Sequence, residues 1–336
     1  MIKSVTKLTM AVLFAAGTAL AADSAAPFVG NWALTLPEGA PGWLGVTHNN
    51  ELLSASLLWI GGSVTPLDSV SISNQSLICT RIRSVDRKNN QGKIIGTERL
   101  TDNFVAQLDG DNLKFVALLA RNGGSGADTK ECTGKRIPPP PSAPDLAKVR
   151  FGNPISLFNG KDLTGWRLTN PKALNGWNVA EGLLINRVEQ EAGKPHKNYG
   201  NLRTDREFED FNLTLDTRVP KGGNSGVYLR GVYEVQVMDS YGKPLDPHNM
   251  GALYSRIKPA VSAEKPAGEW QTLDITLVAR HLTVILNGKK IIDNEPVLGV
   301  TGGALSPDEF KPGPIYLQGD HTGIEYRNLV LRPVAK

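Results

Sequence analysis

Residues 222–240 read GGNSGVYLRGVYEVQVMDS: two glycines and an Asn-Ser-Gly open onto a run in which apolar and polar residues alternate. A period of two marks a strand with one face in a core. Tyr233, Val235 and Val237 take one face and Glu234, Gln236 and Met238 the other, while Val227 and Leu229 oppose Tyr228 and Arg230. The polar half therefore gathers Tyr228, Arg230, Glu234 and Gln236. On one reading Arg230 and Glu234 are a cross-strand ion pair, worth less than about 1 kcal/mol. On the other, these residues floor a site.

The same alternation recurs over residues 211–217, 270–277, 282–286 and 324–331, and Asn287-Gly288 between two apolar runs is a favoured hairpin turn. Sorting by parity adds Thr214, Asp216 and Arg218 to the polar set. Tyr316 and Gln318 lead into Gly319-Asp320-His321-Thr322-Gly323, with Arg327 beyond. If these strands are neighbours, a concave face carries acids, amides, arginines and tyrosines, a mixture that suits sugar hydroxyls. A unit of this length with so many long strands fits a two-sheet jelly roll better than an immunoglobulin fold.

This unit, residues 151–336, follows a linker at 137–150 that contains Pro138-Pro139-Pro140-Pro141, an extended segment unable to join a sheet interior. Residues 26–136 form a first domain whose strand signals, at 30–34, 55–59, 76–79, 96–100, 103–108 and 113–118, indicate a small all-β barrel or sandwich. Gly30-x-Trp32 is reminiscent of small ligand-carrying barrels. Cys79 and Cys132 are the only cysteines. In an oxidising compartment they form one disulfide, closing a loop of about fifty residues and adding roughly 2 to 4 kcal/mol.

Lys3 and Lys7 precede a short apolar stretch, residues 8–20, that ends in Ala19-Leu20-Ala21. This pattern predicts a bacterial-type signal peptide over 1–22 and an exported protein, periplasmic or secreted. That apolar stretch is too short for a transmembrane helix, and nothing later is long and apolar enough to span a bilayer. Of the 336 residues, 40% are hydrophobic and 21% charged, and the net charge is only +4 with no basic run, which argues against nucleic acid as a partner. His196, His248 and His281 lack metal-ligand spacing, so no metal site is assigned. Nucleophile elbow, phosphate loop, dinucleotide fingerprint and calcium loop are absent.

Five collinear segments carry a family resemblance: Phe158-Asn159-Gly160-Lys161-Asp162-Leu163-Thr164-Gly165-Trp166; Gly223-Asn224-Ser225-Gly226-Val227-Tyr228-Leu229-Arg230-Gly231; Tyr233-Glu234-Val235-Gln236-Val237-Met238-Asp239; Lys265-Pro266-Ala267-Gly268-Glu269-Trp270; and Gly313-Pro314-Ile315-Tyr316-Leu317-Gln318. Together with the tail Glu325-Tyr326-Arg327-Asn328-Leu329, they resemble the 3-keto-disaccharide hydrolase domain family over residues 155–333. The resemblance implies a concanavalin-like jelly roll acting on glycosides oxidised to a ketone at carbon 3. The family pattern places Asp-His-Gly close after Leu-Gln; here Gly319 intervenes and Thr322 precedes Gly323.

A ketone at carbon 3 acidifies the hydrogen on carbon 2, so such a substrate needs one base, one acid and donors for an enolate oxygen. It does not need the paired carboxylates of ordinary glycosidases. Glu234 is the preferred base, with Asp239 or His321 as alternatives and His321 the candidate acid. Arg230 and Lys265 are expected on the ketone oxygen, and Asn224, Tyr228, Gln236, Tyr254 and Gln318 on the hydroxyls. No cofactor is called for, and a divalent metal is left open. The competing expectations are a non-catalytic carbohydrate-binding module and a structural spacer.

Overall fold

The computed structural model describes residues 24–49, 52–123, 125–191 and 193–335. The expected leader over 1–22 lies outside the described residues. Nine strands form the first unit: β1 Gly30–Thr35, β2 Pro41–Asn49, β3 Leu52–Leu58, β4 Thr65–Pro66, β5 Ser69–Ser73, β6 Ser76–Lys88, β7 Ile94–Asp109, β8 Asn112–Ala120 and β9 Ala127–Ile137. They pair in the order β4-β3-β2-β1-β9-β8-β7-β6-β5. The segment after β4 closes the ring: Leu67 N–H donates to Ala55 O at 2.9 Å, and Asp68 N–H donates to Thr80 O at 2.8 Å. A closed sheet has no free edge to template aggregation.

The two strand signals at 96–100 and 103–108 are one long strand, β7. Strands β2, β4, β5 and β9 are additions to the sequence reading. Of these, β2 starts at a proline and holds two glycines, and β9 is mostly polar and exposed, with Cys132, Gly134 and Ile137 buried, so neither shows strand composition. Trp32, Phe28, Phe104 and Phe115 fill the barrel interior, and Arg136 lies 4.0 Å over the Trp32 ring to close one end. The resemblance to ligand-carrying barrels therefore ends at Gly30-x-Trp32.

The expected disulfide is corrected. Cys79 on β6 and Cys132 on β9 are separated by two strands, and both are buried free thiols within the barrel's apolar cluster. Burial pushes each thiol up to about 12, so they behave as small core hydrophobes. Neither thiol of the native protein is expected to react with a thiol reagent at pH 8, and both should react once denaturant is added. A mass two protons below the free-thiol value would overturn this assignment.

Thirteen strands form the second unit: β10 Ile155–Ser156, β11 Trp166–Leu168, β12 Trp177–Ala180, β13 Leu183–Asn186, β14 Leu202–Thr204, β15 Phe211–Arg218, β16 Asn224–Leu229, β17 Tyr233–Met238, β18 Trp270–Val278, β19 His281–Leu286, β20 Lys289–Pro296, β21 Tyr316–Leu317 and β22 Ile324–Pro333. One antiparallel sheet runs β11-β14-β21-β16-β17. The other runs β12-β13-β22-β15-β18-β19-β20, with β10 also on β22. Their inner faces meet through Val227, Val235 and Val237 on one side and Leu213, Leu273 and Ile275 on the other, giving the two-sheet sandwich.

The polar residues grouped by parity separate between the sheets. Thr214, Asp216 and Arg218 lie on β15, across the core from β16 and β17. There Asp216 accepts from Arg327 Nε at 3.1 Å and Thr272 Oγ1 at 2.8 Å, and Arg327 stacks 4.0 Å over Trp270. Parity tells which side of a strand a residue takes, but not which sheet the strand joins.

The units are docked to one another. Trp43 and Leu58 of the barrel belong to the sandwich's apolar cluster, and the Arg256 guanidinium lies 4.3 Å over the Trp43 ring. The proline segment is hooked in place, with Pro138 O accepting from Arg280 Nη2 at 2.8 Å and Pro144 O from Asn294 Nδ2 at 2.9 Å.

Candidate active site

Strands β16 and β17 form a hairpin whose three-residue loop is Arg230-Gly231-Val232, with Arg230 and Gly231 at positive φ (55° and 69°) and Val232 N–H donating to Leu229 O at 3.0 Å. This corrects the expectation for Arg230. The alternation of β16 stops at Leu229, so Arg230 leaves the strand face. Its guanidinium donates to Glu309 O at 2.7 Å and Lys311 O at 2.8 Å instead. Lys265 is also elsewhere: its Nζ is exposed and donates to Trp270 O at 3.1 Å, because its loop folds onto the start of β18. Asp239 closes the open end of the hairpin by accepting from Gly222 N–H at 2.8 Å. None of the three reaches the cavity described next.

The polar face of the hairpin is roofed rather than open to solvent. Tyr254 N–H donates to Glu234 O at 2.9 Å, and Glu234 N–H donates to Thr301 Oγ1 at 2.9 Å. Between hairpin and roof lies a cavity of about 240 Å³, smaller than the ~300–1,000 Å³ typical of drug-sized ligands and suited to a single ring. Asn224, Tyr228, Glu234, Gln236, Tyr254, Gln318 and His321 all line it, as anticipated for these seven. Asp320, Gly302, Gly303 and, from the barrel, Gly61 and Gly62 complete the wall. The barrel's share could be found only by structure, since no motif around Gly61 signals a partner two hundred residues away.

Glu234 is 3% exposed, and burial pushes its carboxyl up to about 8, against the hydrogen bond from Tyr228 and with help from the Asp320 charge. The Tyr228 hydroxyl lies 2.7 Å from Glu234 Oε2 and 2.7 Å from Gly302 O. One phenolic proton cannot serve both. In the neutral state the Glu234 proton goes to Tyr228 and the Tyr228 proton to Gly302 O, which satisfies every group. Tyr228 in turn stacks 3.8 Å from Tyr316. Glycines leave room for this pair in its present position: a Cβ on Gly226 would lie 2.3 Å from Glu234 Oε1, and one on Gly303 2.4 Å from the Tyr228 hydroxyl.

Three buried acceptors on the cavity wall have no hydrogen-bond partner: Asn224 Oδ1, Gln318 Oε1 and Asp320 Oδ1. Buried polar atoms are normally paired, so three together mark where a ligand's donors belong. Asn224 is held by Thr322, whose Oγ1 accepts from Asn224 N–H at 2.8 Å, and Gln318 N–H donates to Gly226 O at 2.9 Å. His321 Nδ1 stands 3.7 Å from Asp320 Oδ1, beyond hydrogen-bond reach. Among the described residues no group of three or more His, Cys, Asp or Glu side chains is arranged to hold a metal ion.

Among the described residues, four hollows have a larger volume. Those of about 510 Å³, between the barrel's outer face and residues 253–257, about 490 Å³, on the sandwich rim beside Arg218 and Glu325, and about 430 Å³, beside Phe208 and Pro333, do not combine a desolvated carboxyl with unpaired buried acceptors. The fourth, about 330 Å³ beside the proline segment, is lined by the buried Glu309, whose Oε2 has no partner, but Arg280 Nη1 donates to its Oε1 at 2.7 Å and holds the carboxyl in an ion pair.

A 3-keto-disaccharide hydrolase of Bacteroides thetaiotaomicron is 26% identical over 148 residues, which are 36% of this chain and 51% of that protein, so the chain spans about half the length of this curated relative. A solved protein of Parabacteroides distasonis, provisionally assigned as a glycosyl hydrolase, is 31% identical, with 55% of this chain and 84% of that one covered at a TM-score of 0.45. A second such protein from the same organism is 26% identical, with 55% and 100% covered at a TM-score of 0.41. Residues 153–332, more than half of the chain, match the 3-keto-alpha-glucoside-1,2-lyase-like domain, and the protein belongs to that family.

Proposed function

We propose that the protein cleaves 3-keto-glycosides by proton abstraction next to the ketone. The observation that carries this reading is the combination of a desolvated Glu234 carboxyl with three unpaired acceptors in a cavity sized for one ring. A ring presenting hydroxyl donors satisfies Asn224, Gln318 and Asp320, and the carboxylate form of Glu234 takes the carbon 2 proton. The electron pair left behind forms the enolate on the carbon 3 oxygen. Its return expels the glycosidic oxygen from carbon 1 and leaves a carbon 1–carbon 2 double bond, to which water can add.

With Arg230 and Lys265 out of reach, the donors left for the enolate oxygen are the Gln236 amide and the His321 ring. The Gln236 amide oxygen already accepts from Val237 N–H at 3.0 Å, which turns its nitrogen toward the cavity. The departing aglycone oxygen needs a proton from the wall, where His321 and Tyr254 are the candidate acids. We place this activity in an exported, two-domain protein, on the strength of the leader pattern and the proline segment.

Incubation with a 3-keto-disaccharide and with its parent sugar tests the reading. Release of product from the keto form alone is expected. Binding without release would favour a carbohydrate-binding module, and neither a spacer. Because the base is mostly protonated at neutral pH, kcat/KM on a 3-keto-glucoside with a phenol leaving group should rise about tenfold per pH unit below pH 8 and level off above it. A profile flat from pH 5.5 to 9.5 would remove Glu234 from the role.

A further inference from the structure

A chain of side chains crosses from the barrel to the cavity. The barrel loop after β3 winds through three successive residues of positive φ, Ile60 (51°), Gly61 (68°) and Gly62 (65°), and then presents Ser63. A β-branched residue such as Ile60 adopts that conformation only when its surroundings hold it there. What holds the loop is contact with the sandwich. A Cβ on Gly302 would lie 2.1 Å from Gly62 O, and Val64 N–H donates to Ser255 Oγ at 2.8 Å.

Ser63 Oγ lies 2.9 Å from His248 Nε2 and 3.3 Å from the Tyr254 hydroxyl. His248 Nδ1 lies 2.5 Å from Asp246 Oδ1, and the ring packs edge-on against Tyr254 with centroids 5.0 Å apart. Hydrogen bonds from His248 hold the Asp246 carboxyl below its usual range. Asp246 and His248 are half exposed, whereas Tyr254 lines the cavity. The array therefore runs from solvent to the site with each member in reach of the next.

We propose that Tyr254 is the acid that protonates the departing aglycone oxygen, and that Ser63, His248 and Asp246 are positioning residues that orient its hydroxyl and resupply its proton. The proposal rests on the elimination reading of the same cavity. In the loaded chain, Asp246 accepts from His248 Nδ1–H, His248 Nε2–H donates to Ser63, Ser63 donates to Tyr254, and Tyr254 is left free to donate to the substrate. As the bond between carbon 1 and the glycosidic oxygen breaks, that oxygen takes the Tyr254 proton. Tyr254 takes the Ser63 proton, Ser63 takes the His248 Nε2 proton, and His248 recovers one from water. A phenol is a stronger acid than the alcohol it protonates, so the first transfer is downhill. His321 has no comparable supply, since its one carboxylate neighbour stands 3.7 Å away.

The barrel is thus part of the catalytic unit, because the one serine that links Tyr254 to His248 lies on its loop. A merely docking serine and a relaying one differ in leaving-group dependence. An acid matters for an alcohol that leaves poorly and much less for a phenol that leaves as its anion. The full chain and its Ser63→Ala variant should be compared on the 3-keto forms of an alkyl glucoside and of 4-nitrophenyl glucoside. The expected loss in kcat is about thirtyfold or more on the alkyl substrate and at least tenfold smaller on the nitrophenyl one. KM should be little changed, Ser63→Thr should restore the alkyl rate to within threefold, and His248→Ala should repeat the asymmetry. Equal losses on both substrates, or no loss on either, would overturn the proposal. A wild-type protein inert on both would instead overturn the elimination reading on which it rests.

Discussion

Glu234→Gln is expected to turn over a 3-keto-glucoside at least about 10³-fold more slowly while folding normally, within the 10²- to 10⁴-fold range of a general base. The substitution suits the site unusually well. Neutral Glu234 already donates to Tyr228 and accepts nothing that an amide oxygen could not, so Gln reproduces the ground-state contacts and removes only the ability to take a proton. The same variant gains stability at alkaline pH, and the sign follows from the direction of the shift. A carboxyl raised from 4.5 to about 8 by burial favours folding while protonated. That contribution is fully present below pH 4.5 and is lost as pH rises through 8. The whole displacement corresponds to about 5 kcal/mol as an upper bound, for a group only 3% exposed. The melting temperature of Glu234→Gln relative to wild type should therefore be close to zero difference at pH 5 and clearly positive at pH 9. Near-normal turnover, or a melting difference of opposite trend, would remove Glu234 as base.

Gly226→Ala is expected to cost about 10² in kcat with little loss of stability. Gly226 sits in β16 opposite Gln236 and does not have positive φ, so alanine is no strain on the backbone. Its methyl would occupy space 2.3 Å from Glu234 Oε1 and 2.9 Å from both Cδ and Cγ of that side chain. The carboxyl must swing away, breaking its bond to Tyr228 and leaving the position from which it meets carbon 2. Displacement of a reacting group by about 1 Å is enough for a hundredfold effect. Circular dichroism and melting should be near wild type while kcat falls. A folded variant with full activity would show that the carboxyl does not sit where described.

The alternation over residues 222–240 gave the hairpin and the side of the sheet that carries Tyr228, Glu234 and Gln236, because a period of two is a direct consequence of strand geometry. Reading Arg230 onto the same face failed for an equally local reason: the chain turns there, and Arg-Gly at positive φ is an uncommon choice for such a turn. Lys265 and Asp239 belong to family-like segments, but Lys265 donates back to Trp270 O and Asp239 accepts from Gly222 N–H across the open end of the hairpin. Gln318 and His321 arrive at the cavity from the alternating run that ends at Gln318, and Tyr254 from a segment without such a period, where only the resemblance brought it in. The barrel's place at the site left no trace in composition, since two glycines and a serine look like any turn.

The contact between Gly62 and Gly302 has a consequence for the history of the chain. Gly302 has no room for a side chain, since its Cβ would lie 2.1 Å from the Gly62 carbonyl oxygen, and because that contact is with backbone, no change of side chain at position 62 can rescue a change at 302. Gene rearrangement can shuffle a sandwich of this kind among many neighbours, but only a recipient already bearing glycine at the second position could accept this barrel in this pose. The pair acts as a barrier to recombination, tying the ancestry of the first half of the chain to that of the second.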